Sequence, residues 1–214
     1  MFPSLPSFLL FLTGALVLLV IPGPAVFYIL SRTVGSGRTA GVVSAAGIAL
    51  GTLFHVAAAI LGLSALIASS ARAFYAVKYL GAAYLVLLGL RMLLRRKAPE
   101  VAATRNGHGL GRIFVEGVLV NLLNPKTALF FLAFLPQFVD PARGHVSLQI
   151  LCLGTSFAMF GLVSDSSWAL LAGTLAEKLR SNLRWRRAQQ NLSGSALIAL
   201  GLATAFSGAH ARTK

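Results

Sequence analysis

The residues that most clearly indicate a binding site are a lysine and three prolines that lie inside long apolar stretches. Lys126 directly follows Pro125, and Pro22 and Pro24 interrupt another apolar stretch nearer the N-terminus. Proline has no N–H group and its ring crowds the carbonyl four residues earlier, so a helix should break at each place. A broken helix exposes carbonyl oxygens on one side of the break and N–H groups on the other.

Each predicted break also contains residues that can start a new helix. Gly23 and Asn124 are suitable N-cap residues. Pro24 and Pro125 follow them and suit the first helical position. Pro125 would leave the carbonyl of Asn121 without its helical partner. Inside a membrane these groups predict a site for a zwitterion, with its carboxylate on the N–H groups and its ammonium on the carbonyls. The alternative is that the prolines only kink membrane helices.

Lys126 strengthens this prediction because its charge is costly at that place. A cation in the first turn of a helix opposes the helix dipole, and at mid-membrane depth it costs about 2.5 to 3.5 kcal/mol. An anion should therefore offset it, either a substrate carboxylate or one of the acidic residues Glu116 and Asp165. The structural alternative is a permanent ion pair between Lys126 and Asp165 that joins two helices. In either case Lys126 should face the interior of the protein.

Three further titratable residues are candidates for proton coupling. Glu116 and Asp165 both lie in the half of their apolar stretch that is nearer the predicted cytoplasmic end, and His55 lies near the middle of a third stretch. A buried carboxyl group can exchange a proton when a neighbouring charge changes, and histidine is a common relay. The alternative roles are an ion pair of Glu116 with Arg112, and hydrogen bonding or packing for the other two.

The amino-acid composition indicates which kind of secondary structure and which environment hold these residues. Of 214 residues, 57% are hydrophobic and 11% are charged, whereas soluble domains contain about a quarter charged residues. This balance excludes an ordinary soluble globule. The single cysteine, Cys152, excludes a disulfide framework and a zinc site of four thiolates. Because no phosphate-binding glycine motif is present either, we expect no cofactor, no metal and no catalytic residues.

Six apolar stretches are long enough to cross a bilayer as helices, since about 20 residues span its hydrocarbon core. None of them alternates strictly between apolar and polar residues, as a strand of a membrane β-barrel would. The sequence therefore predicts an all-α membrane protein with six transmembrane helices in a single domain over residues 1–214. Spans one and four should be broken at proline. The six spans cover approximately residues 5–30, 39–68, 74–94, 113–138, 147–175 and 191–207.

The distribution of Lys and Arg predicts the orientation in the membrane. Twelve basic residues lie in the connections after spans one, three and five, against four on the opposite side. Because the cytoplasmic loops of membrane proteins carry the excess of basic residues, both termini should be periplasmic. Contact of these loops with anionic lipid accounts for most of the net charge of +14. No basic residue precedes Arg32, so the first span should be retained and not cleaved as a signal peptide. The twelve are Arg32, Arg38, Arg95, Arg96, Lys97, Arg105, Arg112, Lys178, Arg180, Arg184, Arg186 and Arg187.

The two halves of the chain resemble each other. Residues 14–27 and 117–130 match at seven of 14 positions at an offset of 103, which places Pro22 on Pro125. Three spans repeat as three spans, and an odd number of spans inverts the second copy in the membrane. We therefore predict two inverted three-helix repeats, at about 5–94 and 113–208, joined by a cytoplasmic linker at about 95–112.

Several of these residues, together with two further runs, carry a resemblance to a known family. The matching residues are Ile21-Pro-Gly-Pro24, His55, Lys78-Tyr-Leu-Gly-Ala-Ala-Tyr-Leu85, Asn121-Leu-Leu-Asn-Pro-Lys126, Phe130-Phe-Leu-Ala-Phe-Leu-Pro-Gln-Phe138 and Asp165. Over nearly its whole length the chain resembles the LysE/RhtB family of amino-acid exporters, most of all the homoserine, threonine or neutral amino-acid type. The resemblance implies a bacterial inner-membrane exporter of amino acids or similar small metabolites, driven by the proton gradient.

The function expected from these features is secondary transport by alternating access, with the two repeats moving about a shared site. The expected partners are a small amino-acid-like substrate and membrane lipid; nucleic acid is not expected, and pairing into a homodimer stays open. The alternatives are a non-transporting membrane subunit, and a thiol or electron conduit, which would need paired cysteines. The predicted substrate-binding residues are Pro22, Gly23, Pro24, Asn121, Asn124, Pro125 and Lys126, and the predicted proton-coupling residues are Asp165, Glu116 and His55.

Overall fold

The computed structural model describes residues 3–20, 22–69, 71–94, 109–181 and 183–206. These residues form helices and short connections, and no strand occurs among them, in agreement with the predicted all-α class. Their α-helices are α1 (Leu5–Val20), α2 (Pro24–Ser36), α3 (Arg38–Ser69), α4 (Ala71–Leu94), α5 (Leu110–Leu122), α6 (Pro125–Leu129), α7 (Val146–Ser181) and α8 (Leu183–Phe206).

The first apolar stretch is broken between α1 and α2, as its prolines predict. Gly23 is extended, with φ −121° and ψ −167°, and precedes Pro24 at the start of α2. The Gly23 carbonyl accepts the first helical hydrogen bond from the N–H of Phe27 at 3.0 Å. The two helices meet at an angle of 46°, so α2 begins in a new direction.

The second break separates α5 from α6 in the same way and with the same bend of 46°. Asn124 is the N-cap of α6, and its side-chain oxygen accepts a hydrogen bond from the N–H of Lys126 at 3.1 Å. Pro125 occupies the first turn. The two helix starts thus pair Pro125 with Pro24, whereas the sequence match at an offset of 103 pairs it with Pro22.

After α6 the helix continues with a different winding, at a run of aromatic residues. It continues as a π-helix over Phe130–Phe134 and as a 3₁₀-helix over Leu135–Phe138. Pro136 has no N–H for the carbonyl of Leu132, so an α-helix cannot continue regularly here. The altered winding buries the Phe130 ring, which stacks on Phe157 of α7 at 4.4 Å between ring centres.

Close helix packing surrounds the two breaks. Helix α3 packs along both α5 and α7, and α4 packs along α8. A methyl group on Gly47 of α3 would lie 3.1 Å from the backbone carbon of Phe114, and one on Gly117 of α5 would lie 2.8 Å from the Ser44 carbonyl oxygen. The backbones of α3 and α5 therefore approach each other at a distance that only glycine allows.

Two to four apolar spans are present in the described residues, judged by length and composition. The segments Arg38–Gly62 of α3 and Val146–Ala172 of α7 are each long and apolar enough to cross a membrane. The pair α1 and α2 and the pair formed by Leu110–Leu122 and Pro125–Phe138 satisfy the same criterion if each is one broken span. The expected third and sixth spans fall in α4 and α8.

The structure corrects the position of Arg32, which the sequence placed in a loop after the first span. Helix α2 continues to Ser36, and the connection to α3 is Gly37 alone, with φ 89°. Arg32 therefore lies within α2, where it is 5% exposed. Other predicted features lie outside the described residues: Ile21, the side chain of Lys78, the linker at 95–108 with its four basic residues, the side chains of Lys178, Arg180, Arg184 and Arg186, and the C-terminal Arg212 and Lys214.

Candidate functional site

The two helix breaks border the same cavity. Gly23 lines it from the first break, Asn124 and Lys126 line it from the second, and Asp165 lines it from α7. The cavity volume is about 40 Å³, which is room for about one or two water molecules. The other lining residues are small or mostly apolar: Leu18, Leu19, Ala25, Val26, Ile48, Ala49, Thr52, Asn121, Thr127, Phe157, Ala158, Gly161 and Leu162.

Lys126 connects the second break to the first. Its ammonium nitrogen donates a hydrogen bond to the carbonyl oxygen of Leu18 at 2.6 Å. Leu18 precedes Pro22 by four residues, so its carbonyl lacks the usual helical donor. The lysine thus satisfies a carbonyl that the first break has freed. The prediction that Lys126 faces the protein interior is confirmed.

Gly23 allows the lysine side chain to pass close to the first break. A methyl group built on Gly23 would lie 3.1 Å from Cδ of Lys126 and 3.4 Å from its ammonium nitrogen. The backbone of Gly23 has a negative φ that other residues also adopt. The requirement for glycine at this position therefore comes from the lysine packed against it and not from the backbone.

Asn121 is the polar residue that ties α5, α3 and α6 together. It is 1% exposed, and its amide nitrogen donates hydrogen bonds to the carbonyl of Ile48 and the hydroxyl of Thr52, both at 2.8 Å. Its side-chain oxygen accepts a hydrogen bond from the hydroxyl of Thr127 at 2.9 Å. These bonds satisfy a buried amide and fix the second break against α3.

His55 supports the second break from outside the cavity. Its Nε2 lies 3.0 Å from the backbone carbonyl oxygen of Asn121. Pro125 removes the i+4 donor of this carbonyl, which also accepts a hydrogen bond from the N–H of Asn124 at 3.0 Å. A carbonyl only accepts hydrogen bonds, so Nε2 carries the hydrogen. The ring also stacks on Phe131 at 6.0 Å. These contacts favour the packing role that the sequence analysis left open.

Asp165 supplies the acidic group of the cavity. It lies on α7, is 7% exposed, and lines the cavity together with Lys126. The carboxylate and the ammonium attract each other across it. A cavity with one cation, one anion and backbone groups from two helix breaks has the polar groups that a zwitterion needs.

Glu116 lies in a second charged cluster, apart from the cavity-lining residues. Its carboxylate accepts hydrogen bonds from Arg32 and from Nε of Arg112, the latter at 3.0 Å. The hydroxyl of Tyr28 lies 3.3 Å from the same carboxylate and 2.9 Å from the carbonyl oxygen of Ile113. The ion pair of Glu116 with Arg112 is the alternative that the sequence offered beside proton coupling, whereas the buried Arg32 was not expected. The guanidinium of Arg32 lies 5.4 Å from the ring centre of Tyr28, four residues earlier on α2, but this spacing by itself does not predict burial.

Comparison with known proteins gives consistent matches over most of the chain. The sequence pattern of the LysE type translocators matches residues 16–208. An uncharacterized membrane protein of Vibrio cholerae is 34% identical over 91% of this chain and 94% of its own length. An uncharacterized membrane protein of Bacillus subtilis is 29% identical over 94% of this chain and 99% of its own length.

A third relative carries a functional name. The leucine efflux protein of Salmonella typhimurium is 33% identical over 68% of this chain and 69% of its own length. No solved structure shows a significant match. Because the family pattern covers nearly the whole chain, the protein belongs to the LysE type translocator family and is a membrane transporter, not an enzyme.

Proposed function

We propose that the protein exports amino acids from the cytoplasm by alternating access, in exchange for protons. Membership of the translocator family supports transport, and the relatives named leucine efflux proteins support an amino acid as substrate. The observation that carries the site assignment is the cavity between the two helix breaks, which is lined by both Lys126 and Asp165. Its charges are complementary to those of an amino-acid zwitterion.

Substrate binding would replace the present hydrogen-bond partner of the Lys126 ammonium. In the structure its ammonium bonds to the Leu18 carbonyl. A substrate carboxylate would attract the ammonium, and it would also be attracted to the N-terminal ends of α2 and α6. The Leu18 carbonyl would then be free to accept a hydrogen bond from the substrate ammonium, with Asp165 as counter-ion.

Asp165 is the proposed proton carrier. It lines the cavity, whereas the other two predicted coupling residues hold structural contacts: Glu116 pairs with two arginines and His55 bonds to the Asn121 carbonyl. A carboxylate balances the substrate ammonium during export, and a bound proton neutralises it for the return step. One proton would thus enter for each substrate that leaves.

The membrane arrangement is part of the same proposal. Six spans in two inverted three-helix repeats would place both helix breaks near the middle of the bilayer, with α3 and α7 in equivalent positions. The matching bends of 46° at the two breaks support this arrangement. The excess of basic residues after spans one, three and five supports periplasmic termini in the bacterial inner membrane.

Transport of a panel of labelled amino acids into inside-out vesicles tests the function. Vesicles that contain the protein should accumulate leucine or another amino acid when their interior is acidic, and accumulation should stop when the pH gradient is dissipated. Vesicles from cells without the protein are the control. If no member of the panel accumulates, the proposed function is wrong; if accumulation is the same without the gradient, proton antiport is wrong.

The variant Asp165→Asn tests the proton carrier separately. We expect it to exchange internal for external leucine at equal pH but to lose accumulation driven by the pH gradient, because an amide cannot carry the proton. Asp140→Asn is the matched control, since Asp140 is exposed and pairs with Arg143 outside the cavity. Gradient-driven accumulation by Asp165→Asn at the wild-type level would exclude Asp165 as the carrier.

A further inference from the structure

Arg32 is a buried cation with unused hydrogen-bonding capacity. One terminal nitrogen, Nη2, pairs with Glu116, and the side chain is 6% exposed. Its Nε and its other terminal nitrogen, Nη1, have no hydrogen-bond partner within the part of the chain that the structure describes. A guanidinium is always charged, and buried donors without acceptors are costly. The arrangement is therefore suited to a further anionic partner.

Arg32 lies on the same helix as residues that line the cavity. Arg32 follows the cavity-lining Ala25 by seven residues, so the two lie on the same face of α2, about 10 Å apart along the helix. Between them lies Ile29 of α2, which belongs to one small buried apolar cluster with Ile48 of α3 and Ala169 of α7. In the proposed orientation Arg32 lies on the cytoplasmic side of this cluster, and the cavity lies on the other side.

The partners of Glu116 make an exchange at Arg32 feasible. Glu116 also accepts a hydrogen bond from Arg112 and lies 3.3 Å from the Tyr28 hydroxyl. If Arg32 released Glu116, the carboxylate would keep the cation of Arg112 and the nearby Tyr28 hydroxyl, whose single hydrogen is shared with the Ile113 carbonyl. The large cost of leaving a buried charge without a partner is thereby avoided.

We propose that Arg32 is a second binding site for the substrate carboxylate, which it receives from the cytoplasm before the substrate reaches the cavity. The proposal rests on the proposed export function. Each planar fork of a guanidinium pairs one hydrogen of Nη2 with Nε or with Nη1. A carboxylate held by two parallel hydrogen bonds therefore either shares Nη2 with Glu116 or displaces Glu116 from it. The chemical class recognised here is a carboxylate, independent of the side chain of the substrate.

The test measures leucine transport from each face of the membrane separately. Purified protein is reconstituted in vesicles of known orientation, and leucine is compared with leucinamide, which has no carboxylate. In Arg32→Gln the half-saturating leucine concentration at the cytoplasmic face should rise about tenfold, the effect of losing one strong charge-assisted contact. The preference for leucine over leucinamide should fall at this face. The half-saturating concentration at the periplasmic face should stay unchanged.

Two further variants separate binding from folding. Arg38→Gln removes an exposed positive charge near the same end of α2 and should behave as wild type at both faces. Arg32→Lys keeps the charge and can still pair with Glu116 but lacks the planar fork, so it should raise the half-saturating concentration at the cytoplasmic face even if Arg32→Gln does not fold.

The outcomes distinguish this inference from the proposed function. If wild-type protein moves leucine and Arg32→Lys matches it at the cytoplasmic face, the carboxylate site at Arg32 is wrong. An equal change at both faces would show that Arg32 only stabilises the structure. If wild-type protein moves no amino acid from either face, the proposed function fails, and this inference fails with it.

Discussion

At the scale of single residues, Lys126 joins the two halves of the site. Its backbone N–H is held by the cap of its own helix, and its ammonium reaches the Leu18 carbonyl on the far side of the other break. Gly23 provides the space for this reach. The lysine thus satisfies a freed carbonyl while no substrate is bound, and it keeps its charge in the cavity where a substrate carboxylate would bind.

The variant Gly23→Ala tests the importance of this close contact. Its methyl group would lie 3.1 Å from Cδ of Lys126 and would displace the lysine by a few tenths of an ångström. Because small misplacements of a binding group are costly, we expect transport to slow about tenfold. The measurement is the initial rate of leucine exchange at equal amounts of protein.

Gly161→Ala is the matched control for this substitution. Gly161 also lines the cavity, but within the part of the chain that the structure describes a methyl group there would contact Leu19 alone, at an ordinary distance of 3.4 Å. It should transport at nearly the wild-type rate. Equal rates for the two variants would mean that the contact between Gly23 and Lys126 does not matter for transport.

At the scale of elements, each broken helix depends on side chains that replace the lost backbone hydrogen bonds. Lys126 donates to the Leu18 carbonyl freed by Pro22, and at the second break the Asn121 carbonyl accepts from His55 and from the Asn124 N–H. Asn124 caps the new helix. Inside a membrane no bulk water is available for these groups, so the breaks are stable only with such partners.

The variant Asn124→Ala removes the cap of α6 and should lower the free energy of unfolding. A lost N-cap costs about 0.5 to 2 kcal/mol, which for a chain of this size lowers the melting temperature by roughly 1 to 8 °C. Asn124→Ser restores a capping oxygen and should recover most of the loss. Thermal unfolding in detergent measures both; a serine variant no more stable than the alanine variant would contradict the role of the cap.

The packing of α3 on α5 gives a second prediction at this scale. Gly47→Val would force side-chain atoms into the backbone of Phe114 and should destabilise the protein by about 1 to 3 kcal/mol. Gly62→Val is the control, because Gly62 lies on the same helix and, among the described residues, no atom outside its own helix backbone lies within 4 Å of its methyl position. Equal melting temperatures for the two variants would exclude close packing at Gly47.

At the scale of the whole molecule, the cavity between the two breaks is small in this structure. The cavity of about 40 Å³ is far smaller than the roughly 300 Å³ or more of typical ligand pockets. On one side of the breaks the cluster around Arg32 and Glu116 joins α2 to α5. On the other side the rings of Phe11, Phe130 and Phe134 pack together. Transport would therefore require each side to open in turn, which is the motion that the proposed repeats provide.

Local chemistry in the sequence predicted the centre of this arrangement. A proline's missing N–H is a property of one residue, so the breaks, the caps at Gly23 and Asn124 and the interior position of Lys126 followed from the order of residues. The burial of Arg32 did not, because its partner Glu116 is 84 positions away in the chain. Likewise, the bond of His55 to the Asn121 carbonyl depends on how α3 meets α5.

The variant Lys126→Ala tests the central claim most directly, by leucine transport in vesicles with a pH gradient. Removing the ammonium leaves the substrate carboxylate without its counter-ion in the cavity, so transport should fall more than about tenfold while the protein still inserts in the membrane. Arg143→Ala, which removes an exposed charge, should transport normally. Wild-type transport by Lys126→Ala would show that the cavity between the two breaks is not the substrate site.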